Sequence, residues 1–372
     1  MTETVGDWLR LVHDLYPPAQ AASWDAVGLQ VGDPDWPVER VLVSLDVTTA
    51  VVDEAAAEPR TLLLAHHPLL FRPLARLTPD TAAGRVALRA AVAGVAVAAA
   101  HTNLDVTGDG AGTSDPVAEL LGLTDVRPLT TELRDATMLK LVVFVPPEAV
   151  DAVLDAVSAA GAGEAGDYER CSFRVRGTGT FRPVGNASPY SGEHGRDNDV
   201  DEFRVEVQVP RSRAGAVVRA LLAAHPYEEV AYDLFPTVTG AEVGFGRIGR
   251  LPAATRLADL AARIRDDLPA PQLRLAGDPD REIRTVAVVG GSGDSLVPAA
   301  IGAGADVLVT GDLKHHVVLD ALELGLALVD AGHHATESAA LPAWIERLST
   351  AASARGLRAR LLRSATRTSP WS

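Results

Sequence analysis

The sequence contains little cysteine, little lysine and no long hydrophobic run. Cys171 is its only cysteine, which excludes an internal disulfide and a thiolate-rich metal cluster and predicts a reducing compartment such as the cytoplasm. Lys140 and Lys314 are its only lysines, so arginine carries nearly all of the positive charge. The most apolar stretch, residues 86–100, is rich in alanine and interrupted by an arginine, so it is too short and too weakly hydrophobic to span a membrane.

Basic residues are also scarce relative to acidic ones. The 34 Lys and Arg residues oppose 49 Asp and Glu residues, which gives a net charge of -15 at pH 7. Because nucleic-acid-binding proteins usually present a basic face, this balance argues against a nucleic-acid partner and against binding to anionic membranes, while a local basic patch stays compatible with it. The 372 residues, 47% of them hydrophobic, predict a globular chain with two or three domains.

In the first 130 residues, apolar runs of strand length alternate with helical patterns. Buried strands are predicted at residues 41–45, 61–65 and 95–100, with helices between them. Uniformly apolar strands separated by helices are typical of a parallel sheet that is covered on both faces. The second of these strands ends at the sequence HHP and the third at HTNLD.

The last third of the chain repeats this plan. Strands are predicted at residues 285–289, 306–310 and 326–329, and the last two end at GDLKHH and DAGHH. We interpret the two segments as similar α/β halves of one main domain, although they share few identical residues. In parallel α/β sheets, ligands bind at the carboxyl ends of the strands, where both halves place their polar residues. The tail after Leu362 is predicted to be disordered or weakly held.

The middle of the chain has a different pattern. Residues 131–240 predict the order β-α-β-β-α-β, which is the ferredoxin-like arrangement of an α+β domain. We expect this domain to be inserted between a first half, residues 1–130, and a second half, residues 241–372. Within it, the sequence HPYEEV places Glu228 and Glu229 either at a domain interface or at a second ligand site.

Histidines cluster at the predicted strand ends. Seven of the ten histidines lie there, which scattered structural histidines would not do. They are His66, His67, His101, His315, His316, His333 and His334. Because imidazole is the commonest metal-binding side chain, this clustering favours a metal site at the rim of the sheets.

Three sets of residues at this rim are candidate metal ligands. His66 and His67 follow a strand where the chain turns, so both can face one site, unless one caps a helix and the other packs. Asp105 supplies a carboxylate or else caps a turn. His333 and Glu337 share one helical face, which also suits a hydrogen-bonded surface pair. Five ligands exceed the four of a tetrahedral zinc, so we predict two divalent cations, with zinc, iron, manganese or cobalt as candidates.

Several motifs resemble those of a known family. SWDAVGLQVGD, LLLAHHPLLF, AAHTNLDV, LVTGDLKHH and DAGHHATE are similar to segments of the dinuclear metal-centre family related to NGG-interacting factor three, which includes the bacterial YbgI and YqfO proteins. Members of this family are described as GTP cyclohydrolase I type 2 homologues. GDYERCSF, GTGTFRP and HPYEEVAYDLFP match the longer bacterial members, so the resemblance covers nearly the whole chain.

The resemblance implies a metal site, an assembly and a substrate class. It implies two divalent metal ions per subunit, with zinc first among the candidates, a neighbouring His101, and metal ligands at His66, His67, Asp105, His333 and Glu337. It implies a toroidal homohexamer, built as a dimer of trimers, whose sites face an internal cavity. It also implies that the inserted domain is similar to the copper-tolerance and PII-like trimeric folds.

Three functions are compatible with these features. The first is a metal-dependent hydrolase of the GTP cyclohydrolase kind, which opens a cyclic amidine, with His101 moving protons. Lys314, His315 and Ser292 of GGSGDS would then hold phosphate, although GGSGDS also suits a tight strand-to-helix turn. The second is a non-enzymatic metal- or metabolite-binding protein with a regulatory or metal-chaperone role. The third is a ring that encircles a nucleic acid, which the overall charge opposes.

Overall fold

The structure is a computed structural model that describes residues 3–106, 110, 112–130, 138–237, 243–268 and 273–371. The chain divides into two compact units. The first combines Met1–Glu132 with Ala241–Ser372, and the second is Leu133–Gly240. The boundaries expected near residues 131 and 240 lie outside the described residues.

The first segment alternates strands and helices. Its strands are β1 (Gly28–Val31), β2 (Arg40–Ser44), β3 (Thr61–Ala65), β4 (Ala96–Ala99) and β5 (Thr124–Pro128). Its helices are α1 (Val5–Leu15), α2 (Thr49–Ala56), α3 (Ala82–Val92), α4 (Thr102–Asp105) and α5 (Asp115–Leu120). Thr4, Thr48 and Thr81 begin α1, α2 and α3, because their side chains accept hydrogen bonds from backbone N–H groups that have no partner within the helix.

In its described residues, the second unit contains one antiparallel sheet and two α-helices. Its strands are β6 (Met138–Val145), β7 (Ser172–Phe181), β8 (Asn198–Pro210) and β9 (Tyr232–Thr237), and its helices are α6 (Val150–Ala159) and α7 (Ala214–Ala224). The strands lie in the order β7-β8-β6-β9, and each neighbouring pair is antiparallel. Leu141, Val143 and Val207 of the sheet pack in one core with Val153 and Leu221 of the helices, so both helices cover the same face.

The last segment returns to the first unit. Its strands are β10 (Arg247–Arg256), β11 (Arg274–Ala276), β12 (Glu282–Ser292), β13 (Val307–Gly311), β14 (Ala327–Asp330) and β15 (Arg360–Arg363). Its helices are α8 (Leu257–Asp267), α9 (Val297–Gly302), α10 (His315–Glu323), α11 (His333–Ser338) and α12 (Leu341–Ala354). Among the described residues, none of the helices is both long enough and apolar enough to cross a membrane.

The two sheets of the first unit share a strand order. One runs β1-β4-β3-β2-β15 and the other β11-β14-β13-β12-β10-β5. In the first sheet β2, β3 and β4 are parallel, and the edge strand β1 is antiparallel to β4. In the second sheet β12, β13 and β14 are parallel, and the edge strand β11 is antiparallel to β14. The predicted α/β class is confirmed, but the expectation of parallel sheets is wrong for β10 and β5, which form antiparallel pairs in the second sheet, and for the edge strands β1 and β11. These edge strands are short and partly exposed, so they lack the uniform apolar pattern of a buried strand.

The two ends of the chain meet in the first sheet. Strand β15 pairs in parallel with β2, and α12 packs against α1. The segment after residue 362 is held: the Ser364 N–H donates to the Val43 carbonyl at 2.8 Å, and Glu54 accepts hydrogen bonds from the hydroxyls of Ser364 and Thr366. The prediction of a weakly held tail is wrong, because its partners come from a distant part of the sequence.

Candidate metal centre

The predicted metal ligands converge just beyond the carboxyl ends of the central strands. His66 and His67 follow β3, His101 closely follows β4, and His333 follows β14 as a residue of the first turn of α11. Glu337 lies one turn later on α11, so its side chain shares a face with that of His333. The fold therefore brings together residues from both ends of the chain.

Glu337 lies at the centre of this cluster. Its Oε1 is 3.6 Å from Nε2 of His66, and its Oε2 is 3.1 Å from Nε2 of His67 and 3.0 Å from Nε2 of His333. The Nε2 atoms of His67 and His333 are 3.2 Å apart. His66 and Glu337 expose only 1% and 5% of their surface, so the donor atoms face a point that is shielded from bulk water.

Each histidine of the cluster is oriented through its other ring nitrogen. Nδ1 of His66 contacts the Ala100 carbonyl at 3.0 Å. In the other three histidines Nδ1 contacts a carboxylate: His67 contacts Asp46 at 2.7 Å, His101 contacts Asp25 at 2.8 Å and His333 contacts Asp312 at 2.7 Å. An acceptor at Nδ1 favours the tautomer that carries its hydrogen there and leaves the Nε2 lone pair free. Metal-binding histidines usually have such an acceptor.

Asp25, Asp46 and Asp312 have no metal-site role in the sequence-based prediction. Asp46 and Asp312 follow β2 and β13 within two residues, so their position at the same rim is a signal that could have identified them. Asp25 precedes β1 in a loop and offers no such signal. These carboxylates fix the ring orientations on which any metal geometry depends.

Charges within the cluster shift the pKa values of its members. Burial disfavours the ionised form of Glu337, but close contact with His333 and then with His66 and His67 holds the pKa of this carboxyl well below its usual range. Burial also opposes protonation of His67, yet Asp46 and Glu337 outweigh it and raise the pKa to about 10. Burial opposes protonation of His333 in the same way, but Glu337 and, to a smaller extent, Asp312 raise its pKa to about 9.

The ring nitrogens and carboxylate oxygens of the cluster are better placed to bind a cation than to form hydrogen bonds with one another. Nε2 of His66 and Oε2 of Glu337 are buried and lack a hydrogen bond of acceptable geometry. The 3.2 Å between Nε2 of His67 and Nε2 of His333 is close to the ~3.3 Å between two nitrogens bound to one tetrahedral zinc. Because a buried polar atom without a partner costs free energy, a cation would satisfy both unpaired atoms.

Among the described residues, the ligand atoms form two groups that share one residue. His66, His67 and His101 form the first, and His67, His333 and Glu337 form the second. Within each group the ligand atoms lie within 4.8 Å of one another. His101, expected as a neighbour of the site, thus has the position of a possible ligand. A His/Glu cluster of this kind could hold a metal ion.

Asp105 lies beside the first of these groups. It ends α4, and its Oδ1 is 3.6 Å from Nε2 of His66. The same oxygen accepts a hydrogen bond from the Thr113 hydroxyl at 2.6 Å. Asp105 therefore faces the cluster but stands outside both compact groups.

The residues expected to hold phosphate lie elsewhere on the rim. Ser292, Lys314 and His315 are exposed, and the Lys314 ammonium pairs with Asp294 at 2.8 Å. The backbone of GGSGDS is already engaged, since the N–H groups of Gly290 and Gly291 donate to side-chain hydroxyls at 3.0 Å. Its first three residues end β12 and the rest turn toward α9, so these contacts favour a structural role for GGSGDS in the strand-to-helix connection.

One cavity opens onto the cluster, and a second adjoins that cavity. The larger, of about 1330 Å³, is lined by Asp46, His67, Asp312 and His333 among others. The second, of about 760 Å³, is lined by Arg265, Arg363 and Arg367 but by no acidic residue among those described.

The two cavities meet at shared lining residues. Leu45, His334 and Thr368 line both of them. A basic cavity thus adjoins the cavity that opens onto the histidine cluster, in a chain that is acidic overall.

Comparison with other proteins identifies relatives along the whole chain. A family model described as Duf34/NIF3 (NGG1p interacting factor 3) matches residues 3–370. A protein of Halalkalibacterium halodurans named GTP cyclohydrolase 1 type 2 homolog is 42% identical over 322 residues, which cover 86% of this chain and 85% of that protein. A protein of Mycobacterium tuberculosis with the same name is 42% identical over 343 residues, which cover 91% and 89%.

Solved structures of similar proteins also match this chain over nearly its whole length. A Bacillus cereus protein related to NIF3 has a TM-score of 0.81 and 37% identity, with 100% of this chain and 99% of that chain covered. A Staphylococcus aureus protein also has a TM-score of 0.81, with 28% identity and 99% and 98% covered. The family resemblance of the motifs is thereby confirmed, and this chain belongs to the Duf34/NIF3 family.

Proposed function

We propose that this protein is a hydrolase that uses two divalent cations and acts on a small anionic substrate of the nucleotide class. The observation that carries the proposal is the pair of overlapping groups that share His67, in the first of which we assign Asp105, 3.6 Å from His66, as a ligand in place of His101. One compact group would serve one ion, whereas two overlapping groups suit two neighbouring ions. The names of the curated relatives point to GTP as the first substrate to test.

The proposed ligands are His66, His67, Asp105, His333 and Glu337. Their imidazole and carboxylate atoms suit zinc first, and also iron, manganese or cobalt. The chemistry that bound divalent cations supply is polarisation of a substrate oxygen and a lowered pKa of water.

His101 is proposed to carry protons during hydrolysis. Asp25 accepts from its Nδ1 at 2.8 Å, which keeps the ring turned with Nε2 toward the cluster. The ring is also close to the rings of His66 and His67, with centroids 5.1 and 5.6 Å away. A histidine held this way can exchange a proton at Nε2 with a substrate atom beside the metal ligands.

The adjoining cavities support an anionic substrate. Arg265, Arg363 and Arg367 can bind phosphate groups in the basic cavity, since guanidinium groups pair with phosphate oxygens in a bidentate way. The rest of the molecule would then extend past His334 and Thr368 into the larger cavity, which reaches His67. We propose this placement over one at Lys314, whose ammonium is paired with Asp294.

The test is turnover by metal-loaded protein. The protein is loaded in turn with zinc, manganese, iron and cobalt, incubated with GTP, and analysed for released formate. We expect formate from the wild type and none from His67→Ala. If no metal gives turnover above the His67→Ala background, the cyclohydrolase proposal is wrong.

A second test addresses the basic cavity. Arg363→Ala and Arg367→Ala should each raise KM for GTP by about tenfold with little change in kcat. Each removes a contact that contributes equally to binding of the substrate and of the transition state. Arg358→Ala changes an exposed arginine of the same segment that does not line the cavity and serves as the control. An equal KM in all three variants would contradict the placement.

The alternative is a non-enzymatic metal- or metabolite-binding protein with a regulatory or metal-chaperone role. The burial of His66 and Glu337 favours it, because buried ligands suit retention of a metal. It predicts tight, exchangeable metal binding without turnover of GTP or related nucleotides. Equal growth of wild-type and His67→Ala cells under both metal starvation and metal excess would count against it.

We further propose that the Leu133–Gly240 unit is a ferredoxin-like domain and that the protein forms a homohexamer. The connectivity β-α-β-β-α-β and the strand order β7-β8-β6-β9 support the first proposal. The family resemblance supports the second. Light scattering of the purified protein should give the mass of six subunits, and any other stable mass would contradict a hexamer.

A further inference from the structure

A separate cavity lies wholly within the Leu133–Gly240 unit. It has a volume of about 470 Å³, which is in the range of small-molecule sites. Glu202 of β8 and Phe144 of β6 line it, and both belong to the sheet face opposite the one that packs on α6 and α7. The segment 183–191 and the residues before β9 complete the walls.

Aromatic rings form much of this cavity. Phe144, Phe181, Tyr190 and Tyr227 all line it. The rings of Tyr190 and Tyr227 lie 5.8 Å apart at an angle of 44°, so they present a corner rather than a flat stack. The π-faces of such rings attract cations.

Carboxylates supply the charge of the cavity. Glu202, Glu228 and Glu229 line it, and none of its described lining residues is Lys or Arg. Glu202 is only 9% exposed and accepts a hydrogen bond from the Tyr227 hydroxyl at 2.9 Å. A nearly buried carboxylate that accepts a hydrogen bond from a neutral phenol favours a positively charged guest.

Among the described residues, the basic side chains next to the lining segments have other acidic partners. Arg182 pairs with Asp197 at 2.8 Å, and Arg204 pairs with Glu206 at 3.0 Å. His225 accepts from the Tyr227 N–H at Nδ1 and therefore donates from Nε2 to a carbonyl, which is the neutral form of the ring. Burial lowers the pKa of His225 in agreement with this form.

The strand beside the cavity is shaped to admit the Glu202 carboxylate. A methyl group at Gly179 would overlap Oε2 of Glu202. Gly179 has an ordinary strand conformation, so its glycine is needed for space and not for an unusual backbone angle. The sequence GTGTF thus keeps a place open for the acid.

We propose that this cavity binds a small organic cation of the alkylammonium class. The aromatic walls match the methyl or methylene groups of such a guest and attract its charge, while Glu202, Glu228 and Glu229 balance it. A hydrated metal ion suits the aromatic walls poorly, because hard cations prefer converging oxygen ligands. The site is independent of the histidine cluster and of the proposed hydrolase activity.

The test uses the full chain and two probes of the same shape. Choline carries a quaternary ammonium, and 3,3-dimethylbutan-1-ol has the same branched group with neutral carbon in place of nitrogen. Calorimetric titration should show choline binding in the millimolar range or tighter and at least about tenfold weaker binding of the alcohol. Equal affinities, or no binding of choline, would overturn the proposal.

Three variants locate the binding. Glu202→Gln keeps the size of the buried side chain and should weaken choline binding by about tenfold, and Tyr190→Ala at an exposed ring should do the same. Glu164→Gln changes an exposed acid of the same unit outside the cavity and should leave the affinity unchanged.

His67→Ala separates this site from the metal centre. It should bind choline as the wild type does, whether or not GTP is hydrolysed. Loss of choline binding in Glu164→Gln, or full binding in both Glu202→Gln and Tyr190→Ala, would contradict the proposed site.

Discussion

Single carboxylates decide which ring nitrogen each clustered histidine offers. Asp46 lies 2.7 Å from Nδ1 of His67 and can affect metal binding without contacting the metal itself. We expect Asp46→Asn to weaken zinc binding by about 10- to 100-fold, because an amide can turn its N–H₂ group toward the ring and favour the wrong tautomer. Competition with a chromogenic chelator measures the affinity.

The control for Asp46→Asn is Asp53→Asn. Asp53 is an exposed acid on α2 that pairs with Arg89 and lies outside the cluster. Its affinity for zinc should equal that of the wild type. Equal affinities of all three proteins would show that the orientation of His67 does not depend on Asp46.

Proton competition at His67 and His333 gives zinc binding a pH dependence. Their pKa values are raised to about 10 and about 9, so at neutral pH protons compete with a metal for these two rings. A metal binds only the neutral ring, so affinity should rise with pH below these values, by about tenfold per pH unit for each proton displaced. Titration in buffers of different ionisation enthalpy counts the released protons, and zero release at neutral pH would contradict the shifts.

The histidines at strand ends were predictable, whereas the supporting Asp25 was not. The histidines of HHP and GHHATE follow apolar runs, so their place at the sheet rim could be inferred from the sequence. The pairing of Asp25 with His101 joins positions 76 residues apart, and no local pattern encodes it.

Among the larger elements, the turn from β12 toward α9 controls the position of Glu337. Gly291, at the end of β12 just before this turn, has φ of 71° and lies so close to α11 that a methyl group there would overlap Oε1 of Glu337. We expect Gly291→Ala to destabilise the protein by about 1 kcal/mol from the backbone conformation alone and also to weaken zinc binding by displacing Glu337. Thermal unfolding and chelator competition measure the two effects.

Gly304→Ala separates the backbone effect from the overlap. Gly304 has a similar φ of 75°, but nothing lies within 4 Å of the position that its methyl group would take. It should lose comparable stability and keep full zinc affinity. If Gly304→Ala loses as much zinc affinity as Gly291→Ala, the contact with Glu337 is not the cause.

The central strands were predictable and the outer ones were not. Strands β2, β3, β13 and β14 are buried at every residue, which produces the continuous apolar runs seen in the sequence. Strands β5, β11 and β15 are mostly exposed, so their composition does not differ from that of loops. Their pairing depends on neighbours that only the folded chain provides.

At the scale of the molecule, the two sheets of the first unit exchange strands. β15 from the end of the chain joins the first sheet, and β5 from the first segment joins the second. The core that contains α1 also contains α12. The two halves therefore cannot complete their sheets separately, and we expect them to unfold together.

A metal held between these halves should stabilise the whole first unit. His66 and His67 come from one half and His333 and Glu337 from the other, so the ligands separate when the unit unfolds. Zinc at about 100 times its Kd should add about 2.7 kcal/mol to the free energy of unfolding and raise Tm by about 5–10 °C. Calorimetry with zinc and with a chelator measures the shift. His333→Ala should lose most of it, and a shift as large as that of the wild type would mean that zinc binds elsewhere.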